Sequence, residues 1–182
     1  MEIHHPDVEN LMQWGEWFAR RAITNNRPGW VLLEGKPGCG KTRIARRVSR
    51  FIRDYAFDAY AMFWQSRGSL PRVEFRDWPA VVEQKGDDYE ESIEDLYAAD
   101  VVILDDVGAE ADAYKSGLPI SRLRSLLSRL ERKAVMITTN VKLSEWQNRD
   151  ERVGSRLTAA SRFSAFTIPD YRPRIKTSPR AS

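Results

Sequence analysis

The residues with the clearest chemical meaning form one glycine-rich run. Residues 35–42 read Gly-Lys-Pro-Gly-Cys-Gly-Lys-Thr and fit the spacing G-x-x-x-x-G-K-[ST]. Its glycines let the backbone curl so that successive N–H groups point at phosphate oxygens. In this motif Lys41 would reach the β and γ phosphates of a nucleotide, and the Thr42 hydroxyl would coordinate Mg²⁺. The candidate nucleotide-binding residues are Gly35, Lys36, Pro37, Gly38, Cys39, Gly40, Lys41 and Thr42.

Two carboxylates follow a run of four apolar residues. The segment at 101–106 reads Val-Val-Ile-Leu-Asp-Asp, which is typical of a buried strand that carries acids to its carboxyl end. Beside a phosphate loop, Asp105 is expected to hold Mg²⁺ through water, and Asp106 to orient or deprotonate an attacking water. Without that loop, the same pattern fits an ordinary strand followed by a capping acid.

A third polar residue, Asn140, follows the strand-like run Ala-Val-Met-Ile-Thr-Thr at 134–139. If the strands at 30–34, 101–106 and 134–139 are neighbours, Asn140 projects beside the γ-phosphate, where its amide can position water. An asparagine that only starts a turn is the commoner use of this residue type. The order of the strands in the sheet therefore decides between the two.

Strand-like and helical segments alternate along the chain, which predicts an α/β fold with a parallel sheet covered by helices on both faces. After the loop, the pattern fits either a helix that reaches about Gln65 or a strand at 57–64. Eight acids and one lysine between Glu83 and Asp100 indicate a solvated helix and turn. The other predicted elements are helices from Val8 to about Ala22, at 77–84 with Asp77 as N-cap, at 119–133 and around 146–157, and strands at 30–34, 73–75, 101–106, 134–140 and 163–168.

Length and composition fit one globular domain. The chain has 182 residues, of which 42% are hydrophobic and 30% charged, and this excludes wholesale disorder. No apolar run approaches the roughly 18 residues that a membrane-spanning helix needs. The formal charge of +3 comes from residues 171–182, and we expect 173–182 to be a disordered basic tail. A single cysteine and the lack of a secretory signal predict a cytoplasmic protein with no membrane partner.

Together these motifs resemble those of the AAA+ ATPases, and within that group the DnaC/DnaI-type helicase loaders and the IstB-type transposition ATPases. The resemblance covers roughly residues 8–172, and we expect residues 1–172 to form one AAA+ domain. It implies a three-layer P-loop core with a mostly parallel, five-stranded sheet and no helical lid. In these terms 35–42 is Walker A, 101–106 is Walker B and Asn140 is sensor 1. The matching segments are LLEGKPGCGKT at 32–42, VVILDDVGAE at 101–110, ITTN at 137–140, ERVGSRL at 151–157 and PDYR at 169–172.

The resemblance also implies an activity that depends on assembly. Arg156 looks like the arginine finger, which reaches the γ-phosphate bound by the next subunit of a head-to-tail homo-oligomer, and Arg152 looks like a supporting interface residue. A solvated helix face is the other interpretation of both arginines. The implied reaction is hydrolysis of ATP with Mg²⁺, slowed because Asp106 stands where many AAA+ proteins have the longer glutamate. The catalytic candidates are Lys41, Asp106, Asn140 and Arg156.

Loaders of this type are thought to hold single-stranded DNA along the inner surface of a ring, partly through the loop after Walker B. Here that loop is 107–118, in which Tyr114 and Lys115 suit base stacking and phosphate contact. Cationic stripes on helices are further candidates, although they are more often solvated faces or subunit contacts. The two stripes are Arg43, Arg46, Arg47, Arg50 and Arg53, and Arg122, Arg124, Arg129, Arg132 and Lys133.

The sequence therefore predicts an ATP-hydrolysing, helicase-loader-like protein of DNA replication. Its expected partners are a replicative helicase or another replication protein, and single-stranded DNA. With 34 residues before the loop, the N-terminal domain by which loaders grasp the helicase is not expected here. The alternatives are an IstB-like transposition helper, a scaffold locked by ATP with little turnover, and a small-molecule P-loop kinase. Trp14, Trp17 and Trp30 are candidates for the adenine pocket or for core packing.

Overall fold

The computed structural model describes Gln13 and residues 29–58, 71–110 and 116–164. Strands and helices alternate within these ranges, as the sequence predicts. The five strands are β1 (Trp30–Glu34), β2 (Val73–Asp77), β3 (Val101–Val107), β4 (Ala134–Thr139) and β5 (Ser161–Ser164). The six helices are α1 (Lys41–Asp58), α2 (Trp78–Glu83), α3 (Asp87–Ala98), α4 (Leu118–Arg129), α5 (Leu143–Arg149) and α6 (Glu151–Thr158).

The strands form one sheet in the order β2-β3-β4-β1-β5, and every neighbouring pair is parallel. All six residues of β4 are buried, because helices cover both faces of the central strands. The order places β4 between β1 and β3, which is the condition for Asn140 to lie near the phosphate loop. The carboxyl ends of these three strands therefore meet at one edge of the sheet.

Two apolar cores lie on opposite faces of the sheet and complete the three layers. On one face, α1 packs Ile44, Val48 and Ile52 against β1, β3 and β4. On the other face, helices α2 to α6 form a larger core in which Trp78 and Trp146 are fully buried. The predicted α/β class and parallel sheet are confirmed.

Some predicted boundaries differ from the observed ones. Residues 57–58 are helical, so a strand does not begin at 57, and residues 59–70 lie outside the described ranges. The last strand starts at Ser161, two residues earlier than predicted, because it pairs with β1 from Val31 onward. The predicted helix from Val8 to Ala22 and the tail at 173–182 lie outside the described residues.

The sequence correctly predicts the position of Asp77 at the start of a helix, but not the hydrogen bonding of its side chain. Asp77 occupies the N-cap of α2, but its side chain makes no capping hydrogen bond. An N-cap oxygen accepts from the second or third residue of the helix, and the second residue here is Pro79, which has no N–H. The carboxylate instead lies in register with Asp105 at the end of the neighbouring strand.

The acidic segment forms α3, as predicted, and most of its acids are exposed. Asp95 is an exception to the expected solvation. Its two oxygens lie 2.6 Å from Arg72 and 2.8 Å from Arg76, next to strand β2. No helix in the described part of the chain is both long and apolar enough to cross a membrane.

A close helix–helix contact joins α5 and α6. Asp150 caps α6 by accepting a hydrogen bond from the Val153 N–H at 2.9 Å. A Cβ atom built on Gly154 would lie 2.7 Å from the Gln147 Cα and 2.9 Å from its backbone nitrogen. The two helices therefore approach each other closely only because residue 154 has no side chain.

We predict that Gly154→Ala lowers the free energy of unfolding by about 1–3 kcal/mol, because the added methyl group separates α5 from α6. This exceeds the gain of up to about 1 kcal/mol in helix propensity. Thermal unfolding followed by circular dichroism should show a Tm several degrees lower. Ser155→Ala, at the exposed next position of α6, is the control; an unchanged Tm in Gly154→Ala would contradict the packing argument.

Candidate functional site

The glycine-rich loop spans the gap between β1 and α1 at the carboxyl edge of the sheet. Gly38 and Gly40 have φ angles of 81° and 98°, in the left-handed region that favours glycine. A Cβ on Gly40 would meet nothing within 4 Å, so backbone conformation, rather than space, requires glycine there. The Gly35 N–H donates to the Thr139 carbonyl at 3.1 Å, which anchors the loop to β4.

Lys41 lies at the centre of the site. Its side chain is buried, with 6% of the residue exposed. Its ammonium group donates to the carbonyls of Gly35 and Lys36 at 2.9 and 3.0 Å, and to the Asn140 Oδ1 at 2.7 Å. Burial lowers the pKa of Lys41, although the charges of Cys39 and Asp106 oppose this shift. These contacts use all three N–H donors of the ammonium group, so a phosphate oxygen would bind by replacing one of the three acceptors.

Asn140 and Asp106 extend this hydrogen-bond chain. The Asn140 amide donates to the Asp106 Oδ1 at 2.5 Å while its carbonyl accepts from Lys41. The pairing of β3 with β4 shifts register between Leu104 and Val107, and Asp106 has a φ of 58°. A positive φ in a residue other than glycine is uncommon and is a feature of functional sites. The irregularity falls at Asp106, which lines the cavity beside the loop.

Asp105 is buried beneath this layer. The Thr138 hydroxyl donates to its Oδ1 at 2.6 Å and also accepts from the Asp106 N–H at 2.9 Å. Burial, followed by the charge of Asp105, raises the pKa of Asp106, while Lys41 and Asn140 oppose the shift. Two adjacent carboxylates and the Thr42 hydroxyl thus supply the oxygen ligands that Mg²⁺ prefers.

The loop borders a cavity of about 810 Å³, a size typical of small-molecule sites. The cavity brings together four of the predicted residues with chemical roles: Lys41, Thr42, Asp106 and Asn140. Pro37, Gly38 and Gly40 also line it. The donor set and the two left-handed glycines fit a magnesium-bound nucleoside triphosphate. The remaining loop residues contribute differently: Gly35 and Lys36 accept from Lys41, and Cys39 is buried in the core under α1.

The two predicted interface arginines lie on α6 and do not line this cavity. Arg156 forms an ion pair with Glu131 at 3.2 Å, and the two side chains are 28% and 60% exposed. Arg152 is exposed on the preceding turn, where its carbonyl accepts from Arg156 at 3.5 Å. Tyr114 and Lys115 lie outside the described residues. Trp30 packs against the larger core, whereas Trp14 and Trp17 are not described.

Two acids at the edge of the sheet have roles that were not predicted from the sequence. Glu34 is buried at the end of β1, where it accepts from the Leu143 N–H at 2.7 Å and pairs with Arg162 at 3.3 Å. Asp77, predicted only as a helix cap, lies beside Asp105. Desolvation, then the charges of Asp105 and Asp106, raises the pKa of Asp77. For Glu34 the available signal was an acid directly after an apolar strand, whereas Asp77 follows the alternating strand residues Val-Glu-Phe-Arg and has no such signal.

Comparisons with known proteins add to this geometry. No family model and no curated protein sequence matches the chain. Among solved structures, AMPPCP-bound DnaA from Aquifex aeolicus matches with a TM-score of 0.64 at 15% identity, over 90% of this chain and 48% of that one. This chain therefore spans about half the length of that DnaA.

Two further solved structures match over most of both chains. The DnaC helicase loader has a TM-score of 0.63 at 16% identity, over 90% of this chain and 93% of that one. DnaI has a TM-score of 0.63 at 15% identity, over 94% of this chain and 88% of that one. The fold is that of the AAA+ P-loop NTPases. At these identities the likeness establishes the AAA+ fold alone.

Glu110, in the segment after β3, is a buried acid whose effect on stability can be measured as a function of pH. Its Oε2 accepts from the Gly108 N–H at 2.7 Å, and a Cβ on Gly108 would lie 2.8 Å from the Trp146 ring. Burial raises the pKa of Glu110, although hydrogen bonds from its own N–H and that of Gly108, and the charge of Arg149, oppose the shift. The carboxylate of Glu110 therefore binds a proton more tightly in the folded chain than in the unfolded chain.

We predict that the free energy of unfolding of Glu110→Gln increases relative to that of the wild type as the pH rises. A raised folded-state pKa means that this group's contribution to stability is present below the ordinary glutamate pKa and is lost as the pH rises through the folded value. Glutamine has no such dependence. Urea unfolding of both proteins between about pH 4 and pH 8 should show this trend, with exposed Glu91→Gln as the control. A constant difference would contradict it.

Proposed function

We propose that the chain binds and hydrolyses Mg·ATP and acts in DNA replication as a helicase-loader-like AAA+ protein. The observation that supports this most directly is the hydrogen-bond chain from Lys41 through Asn140 to Asp106, which links the loop to the ends of β4 and β3. The match to the DnaC helicase loader and DnaI over nearly their whole length supports the loader-like assignment.

Each residue has a role that follows from its position. The backbone N–H groups of the loop and Lys41 bind the phosphates, and Thr42 with Asp105 would hold Mg²⁺, which would supply charge neutralisation. Asp106 accepts the proton of the attacking water, and Asn140 keeps this carboxylate oriented through its 2.5 Å contact. The short aspartate side chain limits the rate of this step.

Arg152 and Arg156 do not line the described part of this cavity, so they could act only on a nucleotide bound by another subunit. Arg156 is proposed to act in trans on the phosphates bound by the neighbouring copy, with Arg152 supporting the contact. The chain would then form a head-to-tail homo-oligomer. A replicative helicase or another replication protein, together with single-stranded DNA, would be its partners.

Turnover measured against protein concentration tests this proposal. We expect the rate per chain to rise with concentration and on addition of single-stranded DNA. Arg156→Ala should lose about 10³-fold or more of turnover, while calorimetry shows Mg·ATP binding unchanged. Lys85→Ala, which removes an exposed cation on the turn between α2 and α3, is the control.

Three other outcomes would contradict the proposal. A rate per chain that is independent of concentration and of Arg156 indicates a monomeric P-loop kinase or hydrolase. Mg·ATP binding without turnover under every condition indicates a scaffold. Turnover stimulated by a transposase, and by no replication protein, indicates an IstB-like helper.

The ion pair between Arg156 and Glu131 yields a separate prediction. A finger that acts in trans has to leave Glu131, and an exposed pair of this kind contributes up to about 1 kcal/mol. Glu131→Gln should therefore raise turnover by up to about fivefold at protein concentrations that limit assembly. Glu151→Gln, an exposed acid at the start of α6, should not. Lower turnover in Glu131→Gln would show that the pair is needed intact.

A further inference from the structure

The cavity beside the loop continues along one side of α1. Four exposed arginines of this helix line it together with Lys41: Arg43, Arg46, Arg47 and Arg50. Asp106 is the only carboxylate among its described lining residues. At 1.5 Å of rise per residue, Arg43 and Arg50 are separated by about 10 Å along the helix axis. The cationic wall therefore extends two helical turns beyond the phosphate loop.

Two of these four arginines have no partner inside the described part of the fold. In the described ranges, neither Arg43 nor Arg50 has a hydrogen bond or an ion pair. The Arg46 guanidinium lies 5.7 Å from the centre of the Phe75 ring, and its charge acts on Asp77. Like charges on adjacent turns of a helix repel each other, so an anion bound along this face would relieve that repulsion.

The second cationic stripe on α4 differs, because the fold already engages most of it. Arg122 donates to the carbonyls of Val82 and Gln84 and stacks on Tyr89. Arg129 stacks on Tyr97. The remaining contacts of this stripe are Arg124 with Asp150 and Lys133 with the Ala99 carbonyl. In the second stripe, Arg132 alone among the described residues has no such contact, whereas Arg43 and Arg50 of α1 both lack one and both line the cavity.

We propose that the arginine face of α1 binds the sugar–phosphate backbone of single-stranded nucleic acid. This proposal rests on the proposed function and assigns its nucleic-acid contact to a surface. Guanidinium groups suit phosphates because they donate two parallel hydrogen bonds. Phe75 is packed against the core under α1, so phosphates rather than bases are contacted and binding does not depend on sequence.

A protein partner fits this face less well. Although arginine is common at protein interfaces, the centres of such interfaces are poor in other charged residues and contain buried aromatic anchors beside the arginines. In the described part of the chain, the only large hydrophobic residue with an exposed side chain is Leu118, which belongs to α4. The exposed acids of α3, on the opposite face of the sheet, are the alternative occupant if a second copy docks here.

Binding of a fluorescent oligo-dT across a salt series tests the proposal. For a single strand, each lost phosphate contact reduces the slope of log K against log salt by about 0.7. We expect Arg50→Gln to reduce the slope by about 0.7, and Arg43→Gln with Arg50→Gln by about 1.4. Arg132→Gln, an exposed arginine after α4, should leave it unchanged. Thermal unfolding verifies that each variant is folded.

The outcomes separate this inference from the proposed function. If the wild type does not bind the oligonucleotide, the nucleic-acid part of the proposed function fails as well. If the wild type binds and the α1 variants keep its slope, this inference alone is overturned. If those variants keep the slope but sediment as a smaller species than the wild type does, the arginine face contacts a second copy of the chain and the proposal is wrong.

Discussion

The site depends on one buried cation. The Lys41 ammonium group is removed from water, and three oxygen atoms, from two loop carbonyls and one amide, replace its hydration. Because those oxygens belong to the loop and to the residue after β4, their positions are fixed by the sheet. Movement of the loop away from β4 would break the hydrogen bond between Lys41 and Asn140, and a hydrogen bond to a charged group contributes about 1.5–3 kcal/mol.

The sheet satisfies this constraint through its strand order. Parallel strands bring their carboxyl ends to the same edge, and β4 lies between β1 and β3. Thr138 and Asn140 therefore reach both the carboxylates and the loop from a single strand end. Glu34 fixes the opposite side of this edge by bonding to the first residue of α5. The polar groups at the edge of the sheet are thus mutually satisfied, which favours one arrangement of the site.

Much of this could be predicted from the sequence, because apolar runs that end in polar residues identify buried parallel strands. That pattern located β1, β3, β4, Asp106 and Asn140, and the glycine-rich motif located Lys41. The pattern could not locate the register shift before Val107, since the shift depends on how β3 pairs with β4. Asp77 occupies the predicted N-cap position without the capping hydrogen bond, and Pro79 removes one of the two possible donors. Likewise, only the packed structure distinguishes the engaged arginines of α4 from those of α1, because both stripes have the same helical spacing.

Calorimetric titration of the folded chain with Mg·ATP tests the account most directly. We expect measurable binding by the wild type and binding weaker by at least about 100-fold in Lys41→Ala, with Lys85→Ala as a control for the loss of an exposed cation outside the site. Circular dichroism would verify that both variants are folded. No heat with the wild type, or equal affinity in Lys41→Ala, would contradict the claim that this buried cation organises a nucleotide site.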